Sequence, residues 1–366
     1  MSNLNFIDLF SGCGGFSYGL ELAGHKCLLG VDFNKDAVDS FNLNHPHAQG
    51  IHCDITKLNK KKLEQLIDFD QVDMVVGGPP CQGFSTVGKG QEDDVRNLLF
   101  KQFVRIVKLT SPKIILFENV TGLLASKNEK ILKNIYKSFE RLGYVMDAQV
   151  MSSELYGVPS KRRRTIIMGV KNGLPVFPQI KSMKTKNVQK VLNSLDGKKL
   201  HNHEIEKAQL KSVIDKKRLK FIPAGHGIRY QKDEIRFLPK SLRYDVDWKE
   251  LREGRFRQTK LQRLPLDAPA PTILTSRTTY YHPIEDRYLT PREAAALQSF
   301  PNKFVFCGST TAQFRQIGNA VPPLLAKHLG LKIKEIKFLK KIDKKIQVKN
   351  KNLTQAFNYK KVLNYA

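Results

Sequence analysis

Over its first 170 residues the chain alternates short apolar runs with longer helix-period stretches, and this rhythm narrows the possible folds more than any other feature. Asn5–Phe10 reads as a strand, followed by a glycine-rich turn and a helix near Phe16–Ala23. Cys27–Val31 reads as a second strand, with a helical stretch near Lys35–Asn42 behind it. Gln71–Val76, Lys113–Phe117 and Thr165–Val170 read as further strands, and Leu98–Leu109 and Lys130–Leu142 as helices. Such alternation implies parallel strands joined by helical crossovers, hence a three-layer α/β domain.

From about residue 180 the rhythm is lost. Residues 181–262 are lysine-rich, weakly periodic and hold the only tryptophan, Trp248, which predicts a smaller, irregular, basic domain. Regularity returns with a helix at Pro291–Gln298, capped by Thr290, and a second helix after Pro323. In the tail, Ile333, Ile336, Leu339, Ile342 and Ile346 recur at spacings of three and four between lysines, the pattern of a basic amphipathic helix.

Charge follows the same division. Residues 1–150 carry 17 basic and 17 acidic side chains, residues 171–262 a net +13, and residues 331–366 a net +9, out of +28 for the 366-residue chain. A neutral front half joined to a basic back half argues for a polyanionic partner, nucleic acid above all. The competing view is a lysine-rich surface that is merely solvated. Five cysteines (Cys13, Cys27, Cys53, Cys81, Cys307) with no C-x-x-C pair speak against a disulfide scaffold or a zinc site. No apolar run approaches a membrane span, and Met1–Phe6 lacks the start of a signal peptide, so the expectation is a cytoplasmic protein without a bound metal.

Four short motifs carry chemistry. The first, FIDLFSGCGG at Phe6–Gly15, is a strand feeding a glycine turn and a helix, the arrangement with which α/β domains make nucleotide or nucleoside sites. Gly12 and Gly14 fit the start of a dinucleotide fingerprint, but Ser17 stands at its third glycine position, which favours a smaller adenosine-type ligand over a dinucleotide; taken alone, the motif fits a plain structural turn about as well. Asp32, after the second strand, can accept both ribose hydroxyls, and Asp54, after a third strand, can accept from an adenine amino group. Each alone is more often a helix cap or a solvated charge, but the ordered set of glycine turn, Asp32 and Asp54 favours a nucleoside site.

The second motif, GGPPCQGFS at Gly77–Ser85, sets Cys81 in a rigid loop at a strand's carboxyl end, where open α/β sheets place their chemistry. An isolated thiol there is mostly protonated near neutrality. The third, FENV, brings Glu118 to the same sheet edge from a neighbouring strand, and a thiol with a carboxyl suggests covalent catalysis with general-acid assistance. The fourth, SKRRRT at Ser160–Thr165, opens a strand on which Arg162 and Arg164 share a face, so that both could reach one anionic or polar target.

Taken in order, DLFSGCGG, Asp32, Asp54, GGPPCQGFS, DVRNLLF, FENV, RRR, RLPLDAPAPTI, TPREAAALQSFP and QIGNAVPP closely resemble the DNA cytosine-5 methyltransferases of bacterial restriction–modification systems. The resemblance spans about residues 4–330. It implies an S-adenosylmethionine-dependent, Rossmann-like three-layer catalytic domain (1–180 and 300–332) and a smaller irregular basic target-recognition domain with its hinge (181–299). The basic tail 333–366, expected to be helical, has no family role.

The resemblance also implies site residues. Phe10 would stack on the adenine of S-adenosylmethionine; Gly12, Gly14 and Gly15 would admit its methionine moiety; Asp32 and Asp54 would hold ribose and adenine. Pro80 and Leu98 would line the site, and Asn319 and Val321 would close it. Cys81 would be the nucleophile, with Glu118, Arg162 and Arg164 contacting the target cytosine. Candidate contacts to double-stranded DNA are Ser85, Arg229, Arg243, Arg255 and Arg257. A monomer suffices for such a mechanism, and a restriction endonuclease is an implied functional partner. One departure is Ser160, where the family usually has glutamine, which puts loop support near the target base in question.

Three rivals compete. A transfer-RNA methyltransferase with the same core would carry a Cys-Phe-Thr signature in its small domain, and none occurs between residues 171 and 290. A dinucleotide-dependent oxidoreductase would want the full glycine fingerprint. A catalytically dead DNA-binding module would be expected to lack Cys81 or Glu118, and both are present.

Overall fold

The computed structural model describes residues 3–79, 95–125, 128–179, 183 and 185–338. Pro80, Cys81, Ser85 and the tail beyond residue 338 lie outside the described residues, as does the side chain of Leu98. Contacts divide the chain into two units: Met1–Tyr156 with Arg163–Ser182 and Ala320–Ala366, and Gly157–Arg162 with Met183–Asn319.

The first unit runs β1 (Asn5–Leu9), α1 (Gly15–Leu22), β2 (Lys26–Asp32), α2 (Lys35–Asn44), β3 (Gln49–His52), α3 (Lys60–Leu66), β4 (Met74–Gly77), α4 (Val95–Thr110), β5 (Ile114–Asn119), α5 (Glu129–Glu140), β6 (Tyr144–Ser152) and β7 (Arg163–Lys171). Its seven strands lie in the order β3-β2-β1-β4-β5-β7-β6. The first five are parallel, as the alternation predicts, because each connection contains a helix long enough to carry the chain back over the sheet.

The edge differs from the expectation of an all-parallel sheet. β6 was not among the predicted strands, and β7 inserts antiparallel between β5 and β6. The cause is local: only ten residues separate β6 from β7, and the 3₁₀ turn Ser153–Tyr156 cannot serve as a crossover. Beneath the sheet, Phe103 of α4 and Phe139 of α5 pack on Phe117 of β5 with ring centroids 5.4 and 5.7 Å away, all three fully buried. Truncating one such ring typically costs about 3–5 kcal/mol, which fixes the strand ends firmly. The strand order reverses between β1 and β4, so the crevice for a ligand lies at the carboxyl ends of these strands.

The second unit contains α6 (Val188–Asn193), α7 (Val213–Leu219), a two-stranded antiparallel ribbon of β8 (Ile228–Tyr230) and β9 (Arg255–Lys260) enclosing α8 (Gln231–Phe237), then α9 (Pro291–Leu297) and α10 (Thr310–Asn319). Thr290 caps α9 with Pro291 at its first position, as the sequence predicts, and Glu293 completes a capping box. Leu219, Ile222, Ile228, Leu238, Trp248 and Phe256 make a small apolar core. Buried arginines supplement it. Arg263 donates to His282 O, Glu285 O and Leu219 O, and Arg292 to His201 O and Pro301 O. A core this small uses guanidinium forks to satisfy loop carbonyls that no ladder reaches.

The boundaries shift accordingly. Residues 300–319, expected with the catalytic part, belong to the second unit, because Arg292 ties Pro301 to α9 and Gln298 Nε2 holds Ile317 O of α10 at 2.9 Å. The chain then returns to the first unit as α11 (Pro323–Ile333). α11 ends at Ile333, at the start of the tail for which a helix is expected. Ile336 closes a turn onto Ile333 O, and Phe338 bridges to Gly173. Ile333 and Ile336 are buried; the tail beyond residue 338 lies outside the described residues. Among the described residues no helix is long and apolar enough to cross a membrane.

Candidate active site

The turn after β1 departs from ordinary backbone at three places: Phe10 (φ 62°), Gly12 (φ 55°) and Gly14 (φ 89°). A left-handed phenylalanine is a strained residue and occurs where surrounding structure imposes it. Phe10 is half-buried against the main core, while Gly12 opens onto free space, an added Cβ meeting nothing within 4 Å. Asp32 closes the turn's flank. Its Oδ2 accepts Gly12 N–H and its Oδ1 accepts Asn34 N–H, both at 2.8 Å. Burial raises its pKa, opposed by these backbone donors. Each oxygen keeps a second lone pair, so Asp32 can still take ribose hydroxyls while serving as the turn's anchor.

Asp54 behaves as the cap considered for it. Its Oδ1 accepts Thr56 N–H at 2.9 Å and Thr56 Oγ1–H at 2.8 Å, heading the turn Ile55–Lys57, and these bonds lower its pKa. It is exposed at the end of β3. Between Asp32 and Asp54 lies a residue the sequence reading passed over. Phe33 is 74% exposed, and its carbonyl is held by His52 Nε2 at 2.8 Å. An exposed aromatic ring at the carboxyl edge of the sheet is a stacking surface for a heterocycle. The signal was the aromatic beside the acidic strand end. The open face at Gly12, the carboxylate and the free ring fit S-adenosylmethionine.

Beneath the turn, Asp8 is buried and accepts Ser17 Oγ–H at 2.6 Å. Burial pushes its pKa up to about 7. The native state thus holds a proton that an unfolded aspartate releases near pH 4; the resulting stabilisation is full below that value and lost as pH rises through 7. The melting temperature of Asp8→Asn relative to wild type is therefore expected to move in the variant's favour from pH 4 to 7. Burial also pushes Cys13 up to about 12 and Cys27 well above the usual thiol range, so neither is a nucleophile.

Glu118 ends β5 in the same crevice. Its Oε1 lies 2.5 Å from Arg164 Nε of β7, although the N–H is not aligned for a hydrogen bond, so the contact is an ion pair rather than a fork. A Cβ on Gly78, the residue after β4, would lie 3.7 Å from Glu118 Oε2. The carboxyl therefore stands over the point where the loop carrying Cys81 leaves the sheet.

Arg162 has a different occupation from the shared target expected for the two arginines. It is 2% exposed and donates to Gly318 O at 2.7 Å and Asn319 O at 3.0 Å, the last carbonyls of α10. Gly318 itself is pressed on backbone, an added Cβ falling 2.5 Å from Leu274 C. Ser160, in place of the usual glutamine, sits buried in a bridge to Ala270. Arg162→Met is expected to cost about 3 kcal/mol of stability by stranding the buried Gly318 carbonyl and releasing that of Asn319. Chemical denaturation checks this, with Arg164→Met expected to cost less because its ion pair with Glu118 is partly open to solvent, with 19% and 13% of the two side chains exposed, whereas Arg162 is 2% exposed. Asn319 is exposed and Val321 buried.

The candidate DNA contacts fall in the second unit and are unequal. Arg257 is exposed on β9. Arg255 is paired with Glu253, Arg243 Nε reaches Leu238 O at 3.3 Å, and Arg229 is half-buried within β8.

Residues 4–335 match the model of the C-5 cytosine-specific DNA methylases. The chain belongs to this family. It is 39% identical to the Type II methyltransferase M1.HphI of Haemophilus parahaemolyticus, over 90% of this chain and 86% of that protein. It is 32% identical to the Type II methyltransferase M.DdeI of Desulfomicrobium norvegicum, over 90% and 88%. Among solved structures, a DNA modification methyltransferase encoded within a prophage of E. coli superposes with a TM-score of 0.72 at 26% identity, covering 91% of this chain and 99% of that one. The family's activity is DNA cytosine-5 methylation, and its methyl donor is S-adenosylmethionine. The Rossmann-like catalytic fold expected from the resemblance is the one found.

Proposed function

We propose that this DNA (cytosine-5-)-methyltransferase acts through Cys81, Glu118 and Arg164 on a cytosine flipped out of a specific duplex sequence. The observation that carries the reading is the Glu118–Arg164 pair standing over Gly78, where the Cys81 loop departs. Position 5 of cytosine is a poor nucleophile because the ring is aromatic. Addition of the Cys81 thiolate to C6 breaks that aromaticity and makes C5 enamine-like. Glu118, hydrogen-bonded at N3, stabilises the charge that develops, and Arg164 holds Glu118 in place. Bound S-adenosylmethionine supplies an electrophilic methyl group on its sulfonium. Loss of the C5 proton to water and expulsion of the thiolate regenerate the enzyme. None of this is possible inside a stacked duplex, so the base must be extruded at a cost of a few kcal/mol, roughly.

In the same reading Phe10, Phe33, Gly12, Gly14, Gly15, Asp32 and Asp54 hold the cofactor, with Pro80, Leu98, Asn319 and Val321 bordering it. The second unit is the target-recognition domain, with Ser85, Arg229, Arg243, Arg255 and Arg257 against DNA. Arg162 supports α10 rather than touching the base. The enzyme works as a cytoplasmic monomer in a bacterium, protecting DNA from a partner restriction endonuclease.

The deciding experiment follows labelled methyl from S-adenosylmethionine into long natural duplex DNA, with unmodified transfer RNA in parallel, and maps the product at base resolution. Label at carbon 5 of cytosine within one short DNA motif is the expected result and reads out the recognition sequence. Label in RNA alone would move the substrate to the rival class, and label in neither would overturn the proposed reaction.

A further inference from the structure

The turn between β1 and α1 is backed by a residue outside every motif described above. His45, immediately after α2, is buried, and its side chain is withdrawn from solvent. Its Nδ1 lies 2.7 Å from Glu21 Oε2 of α1. The ring stacks on Phe41 of α2 with centroids 4.2 Å apart and meets Tyr18 of α1 edge-on at 6.0 Å. Its remaining edge is pressed on the glycine turn: a Cβ added to Gly14 would overlap His45 Nε2 and fall 2.8 Å from Phe41 Cδ2. Gly14 heads α1 in a left-handed conformation, its N–H bonded back to Ser11 O at 2.9 Å and its carbonyl accepting Tyr18 N–H at 2.8 Å.

A planar ring is therefore wedged between two helices and the floor of the turn whose other side opens at Gly12. Glu21 belongs to the helix that the turn starts, so the hydrogen bond ties the wedge to α1 itself. Removing the ring would leave a void into which the turn can settle. Binding groups made of backbone N–H are especially sensitive to this, because they have no side-chain torsions with which to correct a displacement.

We propose that His45 is a positioning residue for the cofactor: gripped by Glu21 and Phe41, it sets the height of Gly14 and thereby aims the backbone from Gly12 to Gly15 at the methionine moiety of S-adenosylmethionine. This rests on the reading that the turn holds that cofactor.

The test is calorimetric titration of the DNA-free full chain with S-adenosylhomocysteine, alongside amide exchange at Gly12–Gly15, duplex affinity and turnover at saturating cofactor. His45→Ala is expected to weaken binding about tenfold or more and to speed exchange in the turn. Duplex affinity and kcat should stay within about threefold, a KM-against-kcat split that general destabilisation does not produce. Glu21→Gln should weaken binding about threefold, and His45→Phe, which refills the wedge, should recover it to within about threefold of wild type. Wild-type protein that fails to bind would sink the cofactor reading of the turn itself. Wild-type binding with His45→Ala within twofold of it would overturn the positioning role alone, as would His45→Phe binding no better than His45→Ala. If His45→Ala does not fold, Glu21→Gln decides, and unchanged cofactor binding in that variant overturns the proposal.

Discussion

Replacing Cys81 by alanine is expected to remove methyl transfer, by about 10⁴-fold or more, while duplex binding persists. The size of the effect follows from the substrate. Without a nucleophile at C6 the cytosine ring stays aromatic, and neither Glu118 nor the cofactor can make C5 reactive enough to take a methyl group. The other cysteines offer no substitute: Cys13 and Cys27 are buried with raised pKa values, and Cys53 and Cys307, half-buried, follow β3 and precede α10 rather than lying in the loop after β4. Binding should survive because the cations proposed to face phosphate lie in the second unit, away from Cys81 in the sequence. Labelled transfer and equilibrium binding on the same duplex check the two halves. Turnover comparable to wild type in Cys81→Ala would remove the covalent mechanism and leave Glu118 and Arg164 to be explained as structural.

The parts of this architecture that were legible in the sequence are those encoded locally. Five parallel strands, the glycine turn after β1, Asp32 at the end of β2, Glu118 at the end of β5 and the Thr290 cap of α9 each depend on fewer than about ten consecutive residues. Features set by long-range pairing were not legible. That β7 enters between β5 and β6 depends on the 153–162 connection being too short to cross the sheet. Arg162 reads as half of an arginine pair on one strand face, but its partners lie 156 and 157 residues further on. His45 resembles any histidine at a helix end until Glu21 and Gly14 are brought against it. Phe33 was visible as an aromatic, and only its 74% exposure separates it from the core phenylalanines. The charge count misled in one respect, since it treats a buried arginine and a solvated lysine alike.

That distinction sharpens the expectation for DNA binding, which should weaken about 10³-fold between 50 and 200 mM salt if roughly six phosphates are neutralised. Within the second unit Arg218, Arg263, Arg287 and Arg292 are buried. Arg218 donates to Leu242 O and Arg243 O and stacks 3.9 Å from the Tyr244 ring, and Arg287 is bonded to Glu285 and Glu293. These charges hold the domain together and release no counterions on binding. The exposed set, including Lys216, Lys217, Lys220, Arg236, Arg252 and Arg257, is what can track a phosphate backbone. Arg257→Ala should accordingly lower the slope of log affinity against log salt by about one unit. Arg218→Met should leave the slope alone and lower the melting temperature, because it strands two carbonyls and a stacked tyrosine. A flat salt response in the wild type would show that the basic surface is solvated and that affinity arises elsewhere. A slope lowered by Arg218→Met without loss of stability would show that the burial of that guanidinium does not decide its role.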